Sequence, residues 1–116
     1  QPRGSERDAR ENDSWHRAVY AGNQLVGIGR LQLNSPSEAQ IRFMAVAPEF
    51  QGRGIGRILI VALEEVAREQ GVEVIRLDAR ESAVGFYLVL GYKVVGESNF
   101  LFGEIKHYLM EKVLYE

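Results

Sequence analysis

Met44-Ala45-Val46-Ala47-Pro48-Glu49-Phe50-Gln51-Gly52-Arg53-Gly54-Ile55-Gly56-Arg57 reads as the end of a strand, a turn, a glycine loop and the start of a helix. Val46 closes an apolar run, Pro48 cannot donate to a continuing ladder, and Gly52, Gly54 and Gly56 lead into a long amphipathic pattern. A helix start leaves N–H groups without intrahelical partners and carries partial positive charge, and a glycine entry lets an anion approach closely enough to use both. Arg53 and Arg57 add guanidinium forks suited to a pyrophosphate or a ribose phosphate.

The stretch belongs to a chain of 116 residues, 46% apolar and 26% charged, long enough for one globular domain with a core and too short for two. Cysteine is absent, which excludes disulfides, thiolate metal sites and a cysteine nucleophile and is compatible with a reducing compartment. A formal net charge of −2, with the charges interspersed, gives no general attraction to nucleic acid or an anionic membrane, so any anion site must be local. No apolar run is long enough to span a bilayer and no signal-peptide pattern opens the sequence, so a soluble, cytoplasmic protein is expected.

Upstream of the loop, Ala39 to Val46 reads as a strand, preceded by the turn Asn34-Ser35-Pro36-Ser37, the strand Leu25 to Leu33, the turn Gly22-Asn23-Gln24 and the strand Trp15 to Ala21. These compose an antiparallel meander. In the second strand Leu25, Gly27, Gly29, Leu31 and Leu33 share one face and Val26, Ile28, Arg30 and Gln32 the other, and the glycines point to a close backbone neighbour. Gln1 to Ser14 is polar, with Ala9 its only aliphatic residue; it is set apart as an arm or surface loop from a single domain over 15–116.

Downstream, Ile55, Ile58, Leu59, Ala62, Leu63, Val66 and Ala67 recur at helical spacing between Gly54 and Gln70, and Gly71 stops the helix. Val72 to Ala79 follows as a strand, which the helical crossover makes parallel to Ala39–Val46. Ser82 is placed to cap a short helix through Leu90, ended by Gly91, with strands at Tyr92–Val95 and Ile105–Val113 after it.

Alternating glycines alone also suit a turn that merely lets the helix pack closely on its strand. Two other phosphate motifs fail on their own terms. The dinucleotide fingerprint needs glycine where Arg57 stands, and Ala47 to Gln51 intervene between strand and glycines, although Asp78 lies about 20 residues on where a ribose-binding acid belongs. A P-loop needs Lys and Ser/Thr where Arg57 and Ile58 follow Gly56.

Val46-Ala47-Pro48-Glu49-Phe50-Gln51-Gly52-Arg53-Gly54-Ile55-Gly56 resembles, at every position, the acetyl-CoA motif V-x-P-x-x-(Q/R)-G-x-G-(I/L)-G of the GNAT superfamily of N-acetyltransferases. Ala83-Val84-Gly85-Phe86-Tyr87-Leu88-Val89-Leu90-Gly91-Tyr92, followed by Gly96-Glu97, resembles that family's second region, A-x-x-F-Y-x-x-L-G-(F/Y). The similarity runs from Trp15 to Val113, and I-R-F-M-A-V and I-K-H-Y-L-M also resemble bacterial members sometimes fused to a hot-dog thioesterase. The resemblance implies an α/β acyl-CoA N-acyltransferase fold: a mixed, mostly antiparallel sheet with a central parallel strand pair flanked by helices. The family's N-terminal strand and helices have no counterpart in this chain, which makes Gln1–Ser14 an expected interior loop.

The resemblance further implies acetyl-CoA as cosubstrate, no metal, and direct transfer of the acyl group to a primary amine of a small molecule or peptide. In that reading the N–H groups of Gly52, Arg53, Gly54, Ile55, Gly56 and Arg57 hold the pyrophosphate, with Gln51 and the Arg53 side chain beside it. The pantetheine pairs like a strand with Met44, Ala45 and Val46, and the Val46 N–H is a candidate oxyanion donor. Tyr87 matches the family's general acid, although its spacing with Val84 and Leu88 also suits a half-buried core aromatic.

His107, Asp78, Glu81 and Glu104 are base candidates by type; His107 and His16 also suit structural roles, and Glu81 the turn before the short helix. Arg42 is either buried and paired or turned toward the acceptor. Neither nucleic acid nor membrane is expected as a partner, and a homodimer stays open. The competing class is a non-catalytic acyl-CoA-binding regulatory module.

Overall fold

Alternating apolar residues give the first half three strands, β1 (Ser14–Ala21), β2 (Gln24–Ser35) and β3 (Glu38–Val46), joined in a meander as expected. The computed structural model describes residues 13–98 and 105–115. After a 3-10 turn at Pro48–Phe50 come α1 (Ile55–Glu69), β4 (Val74–Arg80), a second 3-10 turn at Glu81–Ala83, α2 (Val84–Val89), β5 (Lys93–Glu97) and β6 (His107–Val113). The six strands form one sheet in the order β1-β2-β3-β4-β6-β5, with β3 and β4 parallel and every other pair antiparallel. No helix among the described residues is long and apolar enough to cross a membrane.

Both described helices cover the same face of this sheet. Ile60, Leu63, Val66 and Ala67 of α1 and Tyr87 of α2 join Ile75, Leu77, Ala79 and Met110 in one buried cluster. The buried side of α1 differs from the expected set: Ile60 and Glu64 are buried, Ala62 is only partly so, and Ile58 is exposed on the solvent side. Gly27 and Gly29 of β2 do have close neighbours, but the nearest are side chains, of α1 and, at Gly29, also Met44 of β3. A Cβ on Gly27 would stand 2.8 Å from Ile55 Cγ2, and one on Gly29 would stand 3.1 Å from Leu63 Cδ1.

Strict alternation in β2 breaks at its start. Val19 pairs with Gly27 and Tyr20 with Leu25, so Val26 is an extra residue opposite β1. The bulge turns Val26 into the core beside Ile55 and Leu59 and leaves Leu25 exposed, the reverse of the expected faces. The polar segment also contributes to the sheet, since Ser14 opens β1 and the Asp13 carbonyl accepts from the Leu33 N–H at 2.7 Å.

Both helices end in the same way. Gly71 (φ 80°) and Gly91 (φ 98°) adopt left-handed geometry, and the next residue folds back: Val72 N–H donates to Ala67 O, and Tyr92 N–H to Tyr87 O. These Schellman closures take Val72 and Tyr92 out of the strands expected to begin there, so β4 and β5 start later. The second closure also brings the Tyr92 ring against Tyr87, with centroids 5.8 Å apart. Ser82 does not cap α2; it sits within the 3-10 turn, and the residue at the cap is Ala83 without a side-chain bond.

Candidate active site

The glycine loop ends where α1 begins. Gly54 is the N-cap with φ 84°, its carbonyl accepting the first helical bond from Ile58, and Gly52 is also left-handed with φ 79°. Among the described residues, chain neighbours aside, no heavy atom lies within 4 Å of a Cβ placed on either, so open space stands above both. Among the described residues no acceptor engages the N–H groups of Ile55, Gly56 and Arg57, as the first turn of a helix with no side-chain cap dictates. Gly56 has a different reason to be glycine: its Cβ would come within 3.1 Å of Phe86 Cζ on α2.

This loop forms one wall of a groove of about 620 Å³. Of the expected cofactor-binding residues, Met44, Ala45, Val46, Gln51, Gly52, Gly54, Ile55, Gly56 and Arg57 line it. Arg53 does not; its guanidinium lies over the Phe50 ring, 4.9 Å from the centroid. Sequence reasoning missed Ser82 and Phe86, which close the far wall from the second 3-10 turn and α2. The signal for Phe86 lay in the A-x-x-F-Y region, read there only for Tyr87, whereas Ser82 stands just before that region and was read only as a helix cap.

The edge of β3 facing the groove is backbone. The Ala47 N–H donates to Val26 O on β2 at 2.8 Å, so by strand alternation Val46 and Met44 turn their polar groups away from β2. The Val46 carbonyl accepts from Gln51 Nε2 at 3.2 Å. Among the described residues β3 has no strand partner on that side at this level, because its parallel pairing with β4 runs only from Glu38–Val74 to Ile41–Leu77. A bulge explains the parting. Leu31 pairs with Ile41 and Arg30 with Phe43, leaving Arg42 as the extra residue that bends β3 away from β4.

The opening holds a second cavity, of about 290 Å³, lined from α2 by Tyr87, from β3 by Arg42 and Met44, and from β4 and β6 by Asp78, Arg80 and His107. Asp78 and Arg80 alternate with the core residues Leu77 and Ala79, so they belong to the face opposite the helices, whereas Tyr87 comes from the helix side. The cavity therefore passes through the sheet. It shares Met44 and Ala83 with the groove.

Tyr87 is thus apart from the glycine loop, buried between the Phe86 ring (4.9 Å) and the Tyr92 ring, and burial raises its phenol above the ordinary value. Tyr92 is pushed much further above the phenol range by burial, by the nearby Glu64 carboxylate and by the 2.9 Å hydrogen bond it donates to Glu64 Oε2. Of the four base candidates, Asp78 and His107 reach the cavity, with Gln40 Nε2 donating to Asp78 Oδ2 at 3.5 Å and His107 Nδ1 lying 3.2 Å from Ile105 O. Glu81 heads the 3-10 turn, and Glu104 lies outside the described residues. His16 is exposed on β1 and has no buried structural role; Arg42 is exposed rather than buried.

A sequence model for the acetyltransferase (GNAT) domain matches residues 3–114. The chain is 35% identical to YjcF, an uncharacterized N-acetyltransferase of Bacillus subtilis, over 96% of this chain and 79% of that protein. It is 32% identical to the uncharacterized B. subtilis protein YyaT over 90% of this chain and 70% of that one. Among solved structures it is similar to nourseothricin acetyltransferase, with a TM-score of 0.81 at 23% identity over 90% of this chain and 68% of that one. It is also similar to an aminoglycoside 6'-N-acetyltransferase complexed with coenzyme A, with a TM-score of 0.82 at 19% identity over 96% of this chain and 79% of that one.

Proposed function

The chain belongs to the GNAT acetyltransferases and is an acetyl-CoA-dependent N-acetyltransferase, and from that premise we propose how its two cavities divide the work. The glycine groove takes the coenzyme A part of the donor. The opening between β3 and β4 takes the primary amine of a small molecule or peptide. The observation that carries this reading is the junction at Met44 and Ala83, where the groove opens into the cavity that holds Tyr87.

The groove fits the donor chemically. Free N–H groups at the start of α1, open space over Gly52 and Gly54, and the Arg57 side chain suit a diphosphate. The outward backbone groups of Met44 and Val46 suit the amides of a pantetheine arm, which adds to β3 where β4 has departed. The Val46 N–H then faces the position of the thioester oxygen.

Acetyl-CoA supplies the acetyl group as a thioester. The amine nitrogen attacks its carbonyl carbon, a C–N bond forms, the C–S bond breaks, and the bonding pair leaves on sulfur. Tyr87 donates a hydrogen bond to that sulfur. With a phenol held above about 10 and a thiol near about 8.5, complete proton transfer is uphill, so stabilisation by hydrogen bond is the assigned role. Asp78 and His107, on the cavity's other side, are the groups placed to take the amine proton.

The test is thiol release from acetyl-CoA with a panel of primary amines. Release that depends on amine and saturates in both substrates is expected. Coenzyme A binding without amine-dependent release anywhere in the panel would count against the proposed division of labour.

A further inference from the structure

Eight arginines fall among the described residues, and five of them have partners there. Arg17 donates to a backbone carbonyl, Arg30 to Ser14 and Gln32, Arg53 lies over Phe50, and Arg68 and Arg76 sit beside carboxylates. Arg42, Arg57 and Arg80 have no hydrogen bond, ion pair or ring contact within the described residues. All three line cavities: Arg57 the donor groove, Arg42 and Arg80 the opening through the sheet.

Two unpaired guanidiniums at an acceptor mouth exceed what an amine needs, because an ammonium entering there is repelled by them. One carboxylate, Asp78, lines the same cavity, and its hydrogen bond comes from Gln40 rather than from either arginine. The bulge that opens the sheet also re-aims Arg42, the extra residue itself, so the device that makes room for the acceptor also presents the charge.

Resting on the acceptor site proposed above, we infer that the acceptor carries an acidic group beside its amine. Arg42 and Arg80 hold that group, a carboxylate or a phosphate, while the amine reaches through the sheet toward Tyr87. Asp78 faces the cationic amine. Paired donors of this kind suit a planar or tetrahedral oxyanion far better than a neutral amide.

The experiment uses the full chain with saturating acetyl-CoA and a graded series of ω-amino acids, each against its own amide, with ω-aminoalkyl phosphates as a third arm. Acids are expected to exceed their amides in kcat/KM by about tenfold or more, the range of a charge-assisted hydrogen bond. Whichever of the carboxylate and phosphate arms is faster identifies the source. Arg42→Gln and Arg80→Gln are each expected to shrink the acid-to-amide ratio through acceptor KM, with acetyl-CoA KM unmoved. Equal turnover of acids and amides overturns the acidic class while leaving the acceptor site in place, and an acid preference that survives in the Arg42→Gln/Arg80→Gln double variant overturns the assignment of that group to the two arginines. An effect confined to acetyl-CoA KM moves the arginines to the donor side and overturns it too. Thiol release with no amine at all removes the acceptor site on which the inference rests.

Discussion

At the scale of single residues, the glycines of the loop separate into different duties. Gly52 and Gly54 supply positive φ with open space above them, and Gly56 makes room for Phe86. Gly54→Val combines a left-handed conformation that β-branched residues resist with a side chain in the cradle. It is expected to weaken coenzyme A binding by tenfold or more in titration calorimetry; unchanged affinity would remove the cradle from the site. Tyr87→Phe keeps the ring contacts with Phe86 and Tyr92 and deletes only the hydroxyl. Turnover is expected to drop by about 10- to 100-fold, within the range for a positioned acid or hydrogen-bond donor, with acetyl-CoA affinity unchanged. A wild-type kcat would leave Tyr87 as a core aromatic. The loop glycines and Tyr87 were legible because their residue types are dictated by local backbone geometry and a short motif. Ser82 and Phe86 were not, since they meet the loop only when α2 folds over it.

At the scale of elements, α1 is seated by absence of side chains beneath it. Gly27→Ala would put a Cβ 2.8 Å from Ile55 Cγ2 and 3.1 Å from Leu59 Cδ1, and overpacking of that kind costs about 1–3 kcal/mol. Urea unfolding should show that loss, and no change in midpoint would mean that the helix shifts freely. A second attachment is polar: Lys112 Nζ on β6 donates to Glu64 Oε1 and Oε2 on α1 and to Leu90 O at the end of α2, while Tyr92 donates to the same Glu64 carboxylate. Lys112→Met leaves Glu64, only 4% exposed, without its nearer cation, with Arg68 remaining at 4.0 Å, and is expected to cost about 3 kcal/mol. Pairing it with Glu64→Leu should recover part of that loss, and a fully additive double variant would refute the coupling. Helix periodicity announced α1 but not this network, because Glu64, Tyr92 and Lys112 are far apart along the chain.

For the whole molecule, the sheet is two-sided: helices and glycine groove on one face, Asp78, Arg80 and His107 on the other, and a gap at the parallel pair between them. The buried phenols tie stability to pH. A group whose pKa is raised on folding adds stability that is complete below its unfolded value and is lost as pH rises toward the folded one. Tyr87 and Tyr92 are both raised, so their contribution holds at neutral pH and falls above about pH 10, by up to about 1.4 kcal/mol per pH unit for each. Unfolding midpoints from pH 7 to 11 should decline at the alkaline end, less steeply in Tyr92→Phe. An identical slope in that variant would detach Tyr92 from the effect.

Sequence by itself determined the order of strands and helices, the meander, the parallel crossover and the glycine-led helix start. These follow from side-chain period, glycine stops and turn chemistry, which act over a few neighbouring residues. Only the tertiary structure decided where β3 and β4 part, that Val26 and Arg42 are bulged, and that Arg42 and Arg80 share an opening with Tyr87. Register between strands is set by packing across the sheet, and a single extra residue reverses a face without disturbing the pattern on either side of it.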